Sequence, residues 1–163
     1  MPSKVTNSYL PFEPFIWHLA HGRTLTVGPK AVVMGILNVT PDSFSDGGKY
    51  DEIDKAIKQA KKMLRQGAQI IDVGGESTRP DAANVSAKEE QKRVLPIIEA
   101  LSDISECIIS IDTYKASTAK LAIKKGAHIV NDVWGLQFDP KMASTINALK
   151  AGCVLMHTGR QRT

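Results

Sequence analysis

Between Asp51 and Gln66 the apolar side chains stand at Ile53, Ala56, Ile57, Ala60, Met63 and Leu64, the spacing of one helical face. Asp51, Glu52 and Asp54 occupy the first turn and Arg65 the last, as the helix dipole favours, and Gly67 supplies the stop. A second helix opens on the capping box Ser86 to Glu89 and presents Val94, Leu95, Ile97, Ile98 and Leu101. Pro96 inside that face predicts one lost backbone bond and a kink. YKASTAKLAIKKG and DPKMASTINALKAG read as two further helices. Short apolar runs separate the helices: AVVMGIL, AQIIDVGG, CIISIDT, AHIVNDV and CVLMHT. Three times, in RQGAQIIDV, KKGAHIVNDV and KAGCVLMHT, a helix ends in glycine and passes straight into such a run. Strands apolar on both faces and linked through helices predict a parallel sheet of five strands with four intervening helices.

The segment 1–30 is less regular. Phe12, Phe15 and Trp17 form an aromatic patch, and the alternation in GRTLTVG reads as a short strand over Thr24 to Val27. A hairpin-like lead-in that caps the bottom of the fold and buries those aromatics fits this pattern. His18 and His21 are three apart and would share a helix face. They lack a third ligand and the HExxH spacing, so they read as a polar surface pair rather than a metal site. The organisation expected is one domain over residues 1–163, with the lead-in at 1–30 and the βα repeats at 31–158.

Polar groups gather where the strands end: Asn38 on the first, Asp72 and Glu76 on or after the second, Asp112 on the third, Asn131 and Asp132 on the fourth, His157 on the fifth. In a parallel sheet these ends share one side, so the groups are expected to converge on one mouth. An open doubly wound sheet concentrates its site at one switch point, whereas a barrel collects residues from nearly every strand end. The pattern therefore predicts an α/β fold of the TIM (β/α)8 type, truncated to about five parallel strands and four helices. No GxGxxG follows a strand and no Walker lysine is present, which argues against a nucleotide cofactor.

The richest of these ends is GILNVTPDSFSDGG, Gly35 to Gly48, where an apolar strand gives way to Asn38, Thr40, Asp42, Ser43, Ser45 and Asp46, with Phe44 among them. Carboxylates and amides suit a hard cation such as Mg2+, and glycines let backbone N–H groups approach an anion. With GGESTRP (Gly74 to Pro80), SIDT (Ser110 to Thr113), VNDV (Val130 to Val133) and Met156–His157, in this order, the stretch resembles the signature set of the dihydropteroate synthase family. The resemblance covers about Gly22 to Thr158.

That resemblance implies a folate-biosynthesis transferase and sulfonamide target. It would condense 6-hydroxymethyl-7,8-dihydropterin pyrophosphate with p-aminobenzoate, giving 7,8-dihydropteroate and pyrophosphate, with Mg2+ as cofactor. It gives Asn38 to the metal or pyrophosphate, and Asp112 and Asn131 to the pterin ring, with Val133 and Met156 at the same substrate site. Arg79 becomes the anion clamp, since a guanidinium grips phosphate bidentately. Thr78, Pro80 and Phe44 shape the p-aminobenzoate pocket, and Asp46 orders the first loop. Asp112 and Arg79 carry catalysis, stabilising the cationic pterin and the departing pyrophosphate. Asp112 has a plainer alternative as the N-cap of the helix after Thr113 and Tyr114. Asp72 is read as orienting its neighbours, and His157 as structural support.

Composition changes little in this picture. The chain has 163 residues, 42% apolar and 23% charged, with a net charge of +4. The positive charges sit on polar helix faces with no basic stripe, so no nucleic-acid partner is expected. No run approaches the ~20 apolar residues of a membrane span, and the first residues do not read as a signal peptide, so a cytoplasmic location is expected. Cys107 and Cys153 each stand at the start of an apolar strand run, outside any CxxC spacing, and read as buried reduced thiols. A barrel of this type usually takes about 250 residues. Five strands would leave two open edges, so little or no turnover by the chain alone and a possible homodimer are expected. A noncatalytic or vestigial pterin-binding fragment is the alternative; a pterin-binding methyltransferase is disfavoured by the NVTPDSFSDGG loop.

Overall fold

A computed structural model describes residues 13–39, 49–76 and 84–156. β1 (Phe15–His18) and β2 (Thr24–Val27) form an antiparallel hairpin around a single 3-10 turn, Ala20–Gly22. Then come β3 (Met34–Asn38), α1 (Lys49–Arg65), β4 (Ile70–Gly74), α2 (Ala87–Ser102), β5 (Ile108–Asp112), α3 (Ala116–Lys124), β6 (Ile129–Asp132), α4 (Met142–Leu149) and β7 (Gly152–Leu155). The five strands β3 to β7 pair in chain order and all in parallel, the expected βα sheet of part of a (β/α) barrel.

Strand alternation divides the sheet into two faces. Leu37, Ile71, Val73, Ile109, Ile111 and Val130 meet the helices, packing with Ala56, Ala60, Val94, Ile98, Ala119 and Ile123 in the larger core. Each buried Val, Leu or Ile contributes about 1.5–3 kcal/mol relative to exposure. Ile70, Ile108 and Ile129, at the strand starts, look the other way and form a second core with Leu19, Leu25 and Trp17 of the hairpin. The hairpin thus plugs the amino-terminal end of the inner, helix-free face. The mouth at the opposite end is left to polar side chains.

Several local expectations are corrected. Phe15 is 49% exposed rather than buried; it pairs with Val27 at the open end of the hairpin, away from the Leu19 turn that enters the sheet. Phe12 lies outside the described residues. His18 sits in β1 and His21 has φ 59° inside the 3-10 turn, so they share no helix face. Pro96 is exposed while α2 runs on through it, and the helix's buried stripe is Glu90, Val94, Ile97, Ile98 and Leu101. Ser86 does cap α2, accepting the Glu89 N–H at 3.3 Å.

Gly67 and Gly126 end α1 and α3 at φ +104° and +116°, as the sequence predicts. In the third link the left-handed turn falls instead on Lys150 (φ 52°). Gly152 is needed for packing: a Cβ there would stand 2.5 Å from Leu19 Cδ2 and 2.9 Å from Trp17 Cζ2. Among the described residues no helix is long and apolar enough to cross a membrane.

Candidate functional site

The register sets the site. Asn38 pairs with Gly74, Gly74 with Asp112, and Asp112 with Asn131, so four residues from four strands form one row at the carboxyl edge of the inner face. One row deeper lie Asp72 and Ser110. Gly74 opens the centre of the row: a Cβ at this position would lie 3.4 Å from both Asn38 Oδ1 and Asp112 Oδ2. The amide and the carboxylate therefore flank a gap that only a side-chain-free residue keeps clear.

Asn131, 8% exposed, donates from Nδ2 to Asp72 Oδ2 at 2.9 Å. This is the orienting role expected of Asp72. Asp72 Oδ1 and Asn131 Oδ1 have no hydrogen-bond partner among the described residues, and both are buried acceptors in the wall of the site. Burial raises the Asp72 carboxyl above its ordinary range against the pull of Ser110 and Asn131. Burial raises Asp112 to about 7, and the nearby charges of Asp72, Glu90, Asp132 and Glu76 add to it. Asp112 thus changes charge near neutrality, and its buried carboxyl is set apart from ordinary surface carboxylates.

Not every strand-end group joins this row. Asp132 follows Asn131 and so faces the helix side, where its carboxylate accepts the N–H groups of Trp134 at 2.8 Å and Leu136 at 3.1 Å. Its role is to shape the β6–α4 loop, which corrects the expectation that all strand-end polar groups share the mouth. Asp112 is no helix cap: Lys115 holds the N-cap position of α3, and the Ala116 N–H is taken by Asp139 Oδ2 at 2.9 Å. Val133 is half-buried just past β6, and Met156, 47% exposed, follows β7 with its N–H on the Asp132 carbonyl at 3.2 Å. Phe44, Asp46, Thr78, Arg79, Pro80 and His157 lie outside the described residues.

Two features escaped the sequence reading. Ser110, fully buried beneath Asp112, follows from counting back two positions along β5. Glu90 is 1% exposed on the apolar stripe of α2, four residues before Val94, and this placement marks it as inward-facing. It belongs to a buried ion cluster with Lys115 and Glu76.

The sequence model of the family described as pterin binding enzyme matches residues 34–163. The chain belongs to the pterin binding enzyme family. The match begins at the first residue of β3, so it takes in every strand that supplies the row. Among relatives, the dihydropteroate synthase of Bacillus subtilis (strain 168) is 56% identical over 138 residues, 85% of this chain and 48% of that protein. A Xanthomonas albilineans dihydropteroate synthase solved with 4-aminobenzoic acid superposes with a TM-score of 0.77 at 41% identity, covering 85% of this chain and 50% of the other. The same enzyme in complex with 7,8-dihydropteroate gives 0.73 at 38% identity, with 85% and 49% covered. The chain spans about half the length of the curated relatives it matches. Within the row, Asp112 and Asn131 stand at the strand ends that the sequence resemblance assigned to the pterin, and Asn38 at the one it assigned to the metal or pyrophosphate.

Proposed function

We propose that this chain carries the pterin and pyrophosphate portion of a dihydropteroate synthase site. In that reaction p-aminobenzoate displaces pyrophosphate from the pterin methylene, breaking a C–O bond and making a C–N bond. The observation that supports this most is the row Asn38, Gly74, Asp112 and Asn131, with its central gap and with buried acceptors at Asp72 and Asn131 that find no partner among the described residues.

A pterin ring offers N–H donors along one edge. Asp112 accepts from them, Asn131 both donates and accepts, and Asp72 holds the Asn131 amide in place. As pyrophosphate leaves, positive charge grows on the pterin, and the Asp112 carboxylate is placed to stabilise it. Arg79 is assigned to the departing anion, Thr78, Pro80 and Phe44 to p-aminobenzoate, Asp46 to ordering the first loop, and Val133 and Met156 to the wall of the site. The half-buried and buried free thiols, Cys153 and Cys107, accord with the cytoplasmic location this reading carries.

Mg2+ fits the donors present. Asn38 Oδ1 is a hard amide oxygen on an exposed residue facing the Gly74 gap, and Mg2+ commonly takes one or two protein oxygens with waters and substrate phosphates as the rest. Bound there, the ion would neutralise charge on the leaving pyrophosphate.

Calorimetry with a pterin pyrophosphate tests the reading. Asp112→Asn should lower affinity about tenfold to a hundredfold, the worth of a hydrogen bond to a charged group. Gly74→Ala should also weaken binding while leaving stability unchanged, because its Cβ meets only ordinary contacts but fills the gap. Wild-type affinity in both variants would overturn the assignment.

A further inference from the structure

The backbone pairing of β4 with β5 ends at Gly74 and Asp112, and just beyond those two residues side chains take over the tie. Glu76 lies two residues past β4; its Oε1 accepts the Tyr114 hydroxyl at 2.9 Å and its Oε2 is bonded by the Lys115 ammonium. The same Oε1 accepts the Val85 N–H at 3.1 Å, just ahead of α2. Lys115 also stands 3.4 Å from Glu90 Oε2, which accepts the Thr118 hydroxyl at 2.8 Å. The side chains of Glu76, Lys115 and Glu90 are only 9%, 14% and 1% exposed.

Burying two carboxylates around one ammonium is a poor way to gain stability, since apolar side chains of equal volume do as well or better. What the cluster supplies is geometry. Among the described residues none donates a hydrogen bond to the Asp112 carboxylate, so its place is set by the backbone that carries it. On the β6 side that backbone is held by the Thr113 N–H, which donates to the Asn131 carbonyl at 3.1 Å. On the β4 side it is held by Glu76, through Tyr114 and Lys115. The link between these two anchors is closed on itself: the buried Thr113 hydroxyl oxygen accepts the Lys115 N–H at 3.2 Å, and Asp139 Oδ2 takes the Ala116 N–H at 2.9 Å. A shift at Tyr114 or Lys115 is therefore passed back to Asp112 instead of being absorbed in a loose turn. There it changes the gap at Gly74, whose Cβ would stand 3.4 Å from Asp112 Oδ2.

We propose that Glu76, with Tyr114 and Lys115, is a positioning residue for Asp112: it clamps the end of β4 to the β5–α3 link and so fixes where the Asp112 carboxylate meets an N–H donor across the Gly74 gap. That this donor belongs to a pterin rests on the function proposed above. The clamp itself stands on the Glu76 and Thr113 bonds alone.

Two measurements on the full chain separate them: amide hydrogen exchange followed by NMR, and calorimetry with 6-hydroxymethyl-7,8-dihydropterin. Glu76→Gln keeps the volume and removes the charge that holds Lys115. It should speed exchange of the Thr113 N–H about tenfold and leave the Ile109 N–H, near the other end of β5, unchanged, as when a local tie is cut. It should weaken pterin binding about tenfold when made alone, but by less than about twofold in the Asp112→Asn background, because a clamp that acts through the carboxylate then has nothing left to position. General destabilisation would instead give equal losses in both backgrounds. If Glu76→Gln does not fold, Tyr114→Phe loses one hydroxyl bond, leaves every charge in place and should shift the same readouts in the same direction, by about threefold. Unchanged Thr113 exchange or wild-type affinity in a folded variant, or an equal loss of affinity in both backgrounds, would overturn the proposal. If the wild-type chain does not bind the pterin, the function proposed above fails and Thr113 exchange alone decides the clamp: faster exchange upholds it and unchanged exchange overturns it.

Discussion

Asn131 and Asp72 are joined across a strand that lies between them: the amide donates at 2.9 Å from β6 to a carboxylate on β4, passing over β5 and its buried Ser110. This bond places Asp72 beneath Asp112, and its charge is the largest single charge contribution that raises the Asp112 carboxyl, after burial itself. Asp72→Asn keeps an oxygen to accept from Asn131 and removes the charge. The Asp112 titration midpoint should then fall from about 7, measured by carboxyl-carbon NMR against pH. Stability responds in step. Between the ordinary carboxylate range and pH 7 the native state holds more protons than the unfolded one, so stability falls as pH rises through this window. In Asp72→Asn the window should narrow, and denaturant titrations between pH 5 and 8 should show a flatter profile than wild type.

How far the sequence could be read follows from the range of each signal. Helical spacing and glycine stops are local, so the βα order, the parallel sheet and the lead-in hairpin were all legible. The strand ends Asn38, Asp112 and Asn131 were legible because each closes an apolar run. Direction within a strand end was harder: Asn131 and Asp132 are adjacent, and alternation sends one to the mouth and the other to the β6–α4 loop. The partnership of Glu76 with Lys115 spans 39 residues and has no periodic trace. Phe15 shows the opposite failure, since its aromatic character suggested burial that its place at the open end of the hairpin does not provide.

Gly152 offers a test of how tightly the hairpin is seated. Its missing side chain leaves room for Leu19 and Trp17, and a methyl group there would overlap both. Gly152→Ala should destabilise by about 1–3 kcal/mol, the range for overpacking a well-filled core. Leu19→Ala alone should cost about 2–5 kcal/mol by leaving a cavity. Combined, the two should cost less than their sum by about 1 kcal/mol or more, because the second removes the atom that the first collides with. Chemical denaturation of the four proteins measures the coupling, and strict additivity would mean that the hairpin gives way instead of resisting.

The amino-terminal end of the sheet carries a different kind of constraint. His128 Nδ1 accepts the Ile109 N–H at 3.0 Å, and its ring meets His21 edge-on at 5.8 Å. His21 in turn donates from Nε2 to the Ile123 carbonyl at 2.8 Å, binding the 3-10 turn of the hairpin to α3. Burial, His21 and Arg23 lower His128 to about 4. The sign follows directly: between its ordinary value near 6.5 and about 4, the unfolded chain binds the proton that the folded one refuses. The contribution of His128 is therefore full above pH 6.5 and is lost as pH falls through this window. Protonation would also put an N–H on Nδ1 facing the Ile109 N–H, two donors with nothing between them. His128→Gln retains an acceptor for Ile109 and cannot titrate, so it should lose less stability than wild type between pH 6.5 and 4, whatever its stability at neutral pH. Urea titrations at half-unit intervals across that range give the comparison, and parallel curves for the two proteins would show that His128 does not govern the acid limb.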